Sequence, residues 1–173
     1  YCQSKHLYNL TLKIYPENLT YLIPITPVII NKFYNPYNIK GNNIYIYTTD
    51  HIVNQKKIYG STFYNKVIEK LSHKYNFIIA TAKTSNNVIE LYKKCFVGLR
   101  LTNYDGLGAT NIEMGLMGIK VITNNISPNC LSWNTVDDII AHIENESKNI
   151  GKTDSTLVNK VKQFIQVEHS IFI

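Results

Sequence analysis

From residue 43 onward the chain alternates short runs of β-branched and aromatic residues with stretches whose apolar residues recur at helical spacing. Residues 44–48 read as a strand. Ser61 or Thr62 then caps a helix carrying Phe63, Val67, Leu71 and Tyr75 in register. Residues 77–80 make the next strand, and Val88, Leu91, Tyr92 and Cys95 share one face of the helix after it. A strand at 96–101, a helix from about 110 to 117 and a strand at 120–123 complete the series. Parallel neighbours need a crossover between them, so this order predicts a parallel sheet covered by helices on both faces. Right-handed crossovers put the loops after each strand on one rim, where ligands bind in sheets of this kind. That rim collects residues 48–57, 81–85, 102–110 and 124–128.

The densest part of the rim is the loop after the third strand. Asp105 opens it, Gly106-Leu107-Gly108 follows, and Glu113 stands eight positions after Asp105, near the start of the next helix. A glycine-rich turn feeding a helix leaves backbone N–H groups unpaired at the positive end of the helix dipole, an arrangement that favours an anion such as phosphate. Blander readings exist for each part. Thr110-Asn111-Ile112-Glu113 fits a capping box, in which Glu113 serves only the helix start, and Asp105-Gly106 is an ordinary turn pair.

Taken together, the acid, Gly-x-Gly, polar run, second acid, and then Gly115, Gly118 and the apolar Val121-Ile122 resemble the donor-site signature of retaining glycosyltransferases of the GT-B fold. That signature has two glutamates separated by seven residues. Here the spacing holds, the first acid is Asp105, and Lys120 stands where the family often has proline. The resemblance spans about thirty contiguous residues and implies a Rossmann-like α/β domain, one half of a GT-B fold, similar to glycosyltransferase family 4.

It also implies roles. Glu113 would accept hydrogen bonds from the ribose hydroxyls of a nucleoside-diphosphate sugar, and Asp105 with the Gly106 and Leu107 backbone would face the transferred sugar. The backbone at Gly108, Ala109, Thr110 and Asn111 would hold the diphosphate, with Lys57, or Lys56 as second choice, as a phosphate clamp; the alternative for either lysine is a solvated loop residue. Arg100, the one arginine in the chain, would pair with a phosphate or a carboxylate, or else make a structural ion pair. Transfer would proceed with retention, using no metal and no cofactor beyond the nucleotide sugar as substrate; the sequence has no Asp-x-Asp motif. The acceptor would be an undefined glycan, lipid or protein.

Residues 1–42 show no such alternation. Their apolar pulse at 19–30 is interrupted by Pro24 and Pro27, which argues for an edge strand or connector. By the resemblance, residues 1–42 are the tail of an absent acceptor-binding domain plus the interdomain connector, and 43–173 are the donor-binding domain. A chain starting at Tyr1 is accordingly expected to have been trimmed, excised or processed from a longer one. At the other end, Thr135 to Asp138 announces a helix with Val136, Ile139, Ile140 and Ile143 inward, and a last helix from about 155 carries Leu157, Val161, Phe164 and Ile165. With no first domain to brace, that last helix is expected to leave apolar surface exposed or paired with another chain. The competing reading is a non-catalytic module that binds nucleotide sugar or docks on a separate acceptor half. A dinucleotide-binding Rossmann domain fits less well, because the turn after the first strand has no glycine.

Composition agrees with a folded domain: 45% hydrophobic and 17% charged residues, with no apolar run of membrane-helix length. The net charge of +6 and pI near 9.1 come from scattered lysines in a chain crowded with Asn, Ile, Lys and Tyr, as an AT-rich genome produces. No basic stripe points to nucleic acid. Cys2, Cys95 and Cys130 share no disulfide or metal spacing, which suggests a reducing compartment and a cytoplasmic or peripherally membrane-associated protein. The sequons at Asn9, Asn18 and Asn145 are expected by chance in so asparagine-rich a chain.

Overall fold

The computed structural model describes residues 27–47, 60–80, 87–102 and 108–169, together with Lys13; side chains are described from residue 30 to 166 within these spans. Five strands, β1 (Asn43–Tyr47), β2 (Asn76–Ala80), β3 (Cys95–Leu99), β4 (Lys120–Ile122) and β5 (Cys130–Leu131), form one wholly parallel sheet in the order β2-β1-β3-β4-β5. The helices are α1 (Pro27–Phe33), α2 (Ser61–Leu71), α3 (Val88–Lys93), α4 (Ala109–Gly115), α5 (Val136–Ser147) and α6 (Ser155–His169). This is an α/β Rossmann-like fold.

Strands buried on both faces must be apolar throughout, and they are. Every residue of β3 is buried, as are Ile44, Tyr45 and Ile46 of β1. One face packs Tyr64, Val67 and Leu71 of α2 with Ile139 and Ile143 of α5; the other packs Ile112 and Met114 of α4 with Leu157, Val161 and Ile165 of α6. The chain leaves β1 for β2 on one side and returns past β1 to build β3, so the order reverses between β1 and β3. A crevice opens at the carboxyl ends of two strands where that happens.

Several local expectations are corrected. Helix α2 is not capped by Ser61 or Thr62: its N-cap is Gly60 at φ 70°, with no side-chain cap bond, and Phe63 and Tyr64 donate their N–H groups to the Gly60 carbonyl. A Cβ on Gly60 would lie 2.2 Å from the Leu101 carbonyl oxygen, so the helix start is pressed against the end of β3 and only glycine fits. Cys95 belongs to β3 instead of the preceding helix, with burial pushing its thiol up to about 12. β5, two residues long, carries no periodicity and was not foreseen from the sequence.

Residues 27–42 contain helix α1, where a strand or connector is expected. Pro27 is its first residue, where a missing N–H is harmless. The segment after it is bound to the body of the domain: Asn35 N–H donates to Leu116 O, Asn38 Nδ2 to Met117 O, and Tyr34 Oη to Asn159 Oδ1. The capping box at Thr135 is present as expected, with Asp138 N–H donating to Thr135 Oγ1 at 3.1 Å and Thr135 N–H donating to Asp138 Oδ2 at 2.9 Å. The backbone N–H groups of Asn134 and Thr135, both donating to Asp138 Oδ2, hold that carboxyl below its usual range. The apolar side of α6 is covered by its own chain: Leu157, Val158, Val161 and Ile165 are all buried. Among the described residues no helix is long and apolar enough to cross a membrane.

Candidate functional site

The strand register sets the rim. Ile46 pairs with Leu99, Leu99 with Ile122, and Ile122 with Leu131, so residues 47, 100–102, 123–124 and 132–133 lie at the carboxyl end of the sheet. Tyr64 of α2 ties the exit of β3, its hydroxyl accepting from Leu101 N–H at 3.0 Å. Arg100 N–H donates to Ile122 O, and the Arg100 guanidinium lies 6.0 Å from the centre of the Tyr47 ring, spanning the ends of β1 and β3 where the strand order reverses.

Helix α4 starts at this rim, with Gly108 as N-cap and, among the described residues, no side-chain cap bond. This removes the capping-box reading of Glu113. Thr110 is already inside the helix, so Glu113 lies in the second turn and caps nothing. Its carboxylate turns instead to the neighbouring helix: Tyr92 of α3 donates to Glu113 Oε2 at 2.8 Å. Burial pushes the Glu113 carboxyl above its usual value, against the opposing pull of the Tyr92 hydroxyl, Lys32 and Arg100. Tyr92 itself is buried, stacked edge-on against Tyr45 with ring centres 5.0 Å apart. Burial raises both phenols, Tyr45 to about 12.

The rim also holds polar atoms with no partner. Thr102 Oγ1, both Nδ2 and Oδ1 of Asn111, Thr123 Oγ1 and Trp133 Nε1 are buried and unbonded, and these are all such side-chain atoms among the described residues. Thr102, Thr123 and Trp133 follow the ends of β3, β4 and β5, and Asn111 is in the first turns of α4. Each such group costs about 1–3 kcal/mol, so their collection at one end of the sheet is a feature to be explained. Asn129, just before the amino end of β5, ties α4 to the start of β4, donating from Nδ2 to Asn111 O at 2.7 Å and to Ile119 O at 3.2 Å.

Of the residues singled out in the sequence, Arg100, Gly108, Ala109, Thr110, Asn111 and Glu113 are brought to this rim. Lys56, Lys57, Asp105, Gly106 and Leu107 lie outside the described residues. Sequence reasoning missed Tyr92 and Asn129. Tyr92 sat in the apolar face of a helix and read as core; only its hydroxyl distinguishes it. Among the described residues no group of His, Cys, Asp and Glu could hold a metal ion. No protein-family model matches the chain, and no curated protein matches it.

Proposed function

We propose that this chain is the donor-binding domain of a retaining GT-B glycosyltransferase, holding a nucleoside-diphosphate sugar at the carboxyl rim of β1, β3 and β4. The observation that carries the reading is Glu113: a half-buried carboxylate at the reversal of strand order, released from any capping duty, with its pKa raised and Arg100 nearby. The buried, unbonded polar atoms of Thr102, Asn111 and Thr123 on the same rim support it. In this reading Glu113 accepts from the ribose hydroxyls, the amides at the start of α4 meet the diphosphate together with Lys57, and Asp105 faces the hydroxyls of the transferred sugar. The departing diphosphate gains negative charge as the glycosidic bond breaks, and Arg100 with these amides offsets it. The domain would act in the cytoplasm or at a membrane surface together with an acceptor-binding half supplied elsewhere in a longer chain or by another one.

Calorimetric titration with UDP, GDP, ADP and their sugars is expected to find micromolar to millimolar binding of one nucleotide. Glu113→Ala should weaken it by about 10- to 100-fold, because a hydrogen bond to a charged group contributes roughly 1.5–3 kcal/mol. Absence of binding by all of them would reject the reading. Stability separates this role from a structural one. A carboxyl whose folded pKa is raised binds its proton more tightly when folded, so stability falls as pH rises from the unfolded value of 4.5 through the folded one. Glu113→Gln should therefore leave thermal stability at pH 7 unchanged or higher, whereas loss of a helix cap would lower it by about 0.5–2 kcal/mol.

A further inference from the structure

We propose that Tyr92 is a positioning residue for Glu113: its hydroxyl holds Oε2 so that Oε1 is the oxygen offered to a ligand's hydroxyls. The proposal rests on the donor-site reading for the identity of that ligand. The geometry comes from three elements. The Tyr92 Oη to Glu113 Oε2 distance of 2.8 Å joins α3 to α4. Tyr92 cannot swing away, because its ring is set edge-on to Tyr45 of β1 at 5.0 Å and tilted against Phe33 of α1 at 6.2 Å. Among the described residues no other side chain bonds the Glu113 carboxylate, and Oε1 is not among the buried, unbonded atoms. A carboxylate with one oxygen fixed and one reachable is pre-organised to accept from a diol, since its rotamer is set before the ligand arrives.

The groups facing Glu113 are Tyr92 from α3, Lys32 from α1 and Arg100 beyond β3, with Tyr45 of β1 behind Tyr92. Burial lifts the Glu113 carboxyl and the Tyr92 hydroxyl opposes that lift. A ligand bound through the ionised carboxylate is lost as pH falls through the raised value. Removing the Tyr92 hydroxyl lifts that value further, so binding should fail at a higher pH.

The test is Tyr92→Phe beside Glu113→Gln in the full chain. Two readouts are needed: calorimetry with UDP, GDP and ADP across pH 4–8, and a carbon-13 NMR titration of the Glu113 carboxyl, assigned by its disappearance in Glu113→Gln. Tyr92→Phe should weaken the binding nucleotide about tenfold, move the acid midpoint of binding upward and raise the Glu113 titration in the unliganded chain. If Glu113→Gln weakens binding while Tyr92→Phe changes neither affinity, midpoint nor titration, Tyr92 is only packing and the proposal fails. If no nucleotide binds the unsubstituted chain, the donor-site reading fails, and an unmoved Glu113 titration in Tyr92→Phe overturns the Tyr92–Glu113 coupling separately. Should Tyr92→Phe melt early, the titration is run at a temperature where its circular dichroism matches the parent chain.

Discussion

Gly41→Ala is expected to lower the melting temperature by roughly 6–12 °C, one of the two largest effects foreseen from a single substitution in this chain. Gly41 leads into β1 and passes directly over the junction between α3 and β3. A Cβ at this position would lie 2.1 Å from both the carbonyl carbon and oxygen of Lys94, and 2.6 Å from its Cα. These are backbone atoms, so no side chain can turn aside. Neither strand can back away cheaply: Gly41 N–H donates to Cys95 O, Asn43 N–H to Lys94 O, and Asn43 Nδ2 to the same oxygen at 2.7 Å. The alanine must therefore displace the start of the two central strands, at a cost of about 3 kcal/mol, the upper part of the range for overpacked sites. A thermal melt followed by circular dichroism reads the effect. A change of a degree or less would mean that the approach of Gly41 to Lys94 relaxes freely.

Glu146→Leu is expected to destabilise the fold by about 3–5 kcal/mol, because it strands a buried cation. Lys40 is 3% exposed and Glu146 1% exposed, both far below the norm for charged residues. Lys40 Nζ lies 3.9 Å from Glu146 Oε2 and 3.9 Å from Asp154 Oδ2, and Lys120 Nζ closes on Glu146 Oε1 at 2.8 Å. Burial lowers the Lys40 pKa, and Glu146 and Asp154 act against that fall. With Glu146 gone, the more exposed Lys120 reaches water, but Lys40 is left with Asp154 alone. Adding Lys40→Met to Glu146→Leu should recover most of the loss, since replacing a buried pair by apolar groups is often neutral or better. Urea unfolding of the single and double variants decides the matter; equal midpoints for Glu146→Leu and the parent chain would show that Lys40 is not dependent on Glu146.

That network also gives Lys120 a structural role: its side chain serves the buried carboxylate of Glu146, twenty-six residues away. The pairing joins the amino end of β4 to the last turn of α5. No local pattern announces such a contact, because it depends on which helix returns to which strand.

The alternation of strands and helices was legible where a strand is buried on both faces and so is apolar along its length, as 95–99 and 44–46 are. Helix starts were legible where a side chain does the capping, as at Thr135, and were misplaced where glycine does it, as at Gly60 and Gly108. Glycine caps through its own backbone, and Ser61, Thr62 and Thr110 nearby offered plausible but wrong alternatives. Helix α1 was hidden by the prolines at 24 and 27, the second of which begins it. At the site, the charged residues of the 100–113 stretch stood out by type. Their organisation by Tyr92, Asn129 and Tyr64 did not, since each of these polar groups bonds a residue far from it in the sequence and acts across the fold.

The central claim is that a nucleotide sits at the carboxyl rim of the sheet, and chemical-shift mapping tests it most directly. Backbone amide spectra of the nitrogen-15-labelled chain would be followed during titration with UDP, GDP and ADP in turn. The account predicts that one of them shifts the amides of Gly108, Ala109, Thr110 and Asn111 together with Arg100 and Glu113, and leaves those of Lys40, Glu146 and Lys120 at the opposite edge in place. No shift with any of the three, or shifts confined to that opposite edge, would contradict it.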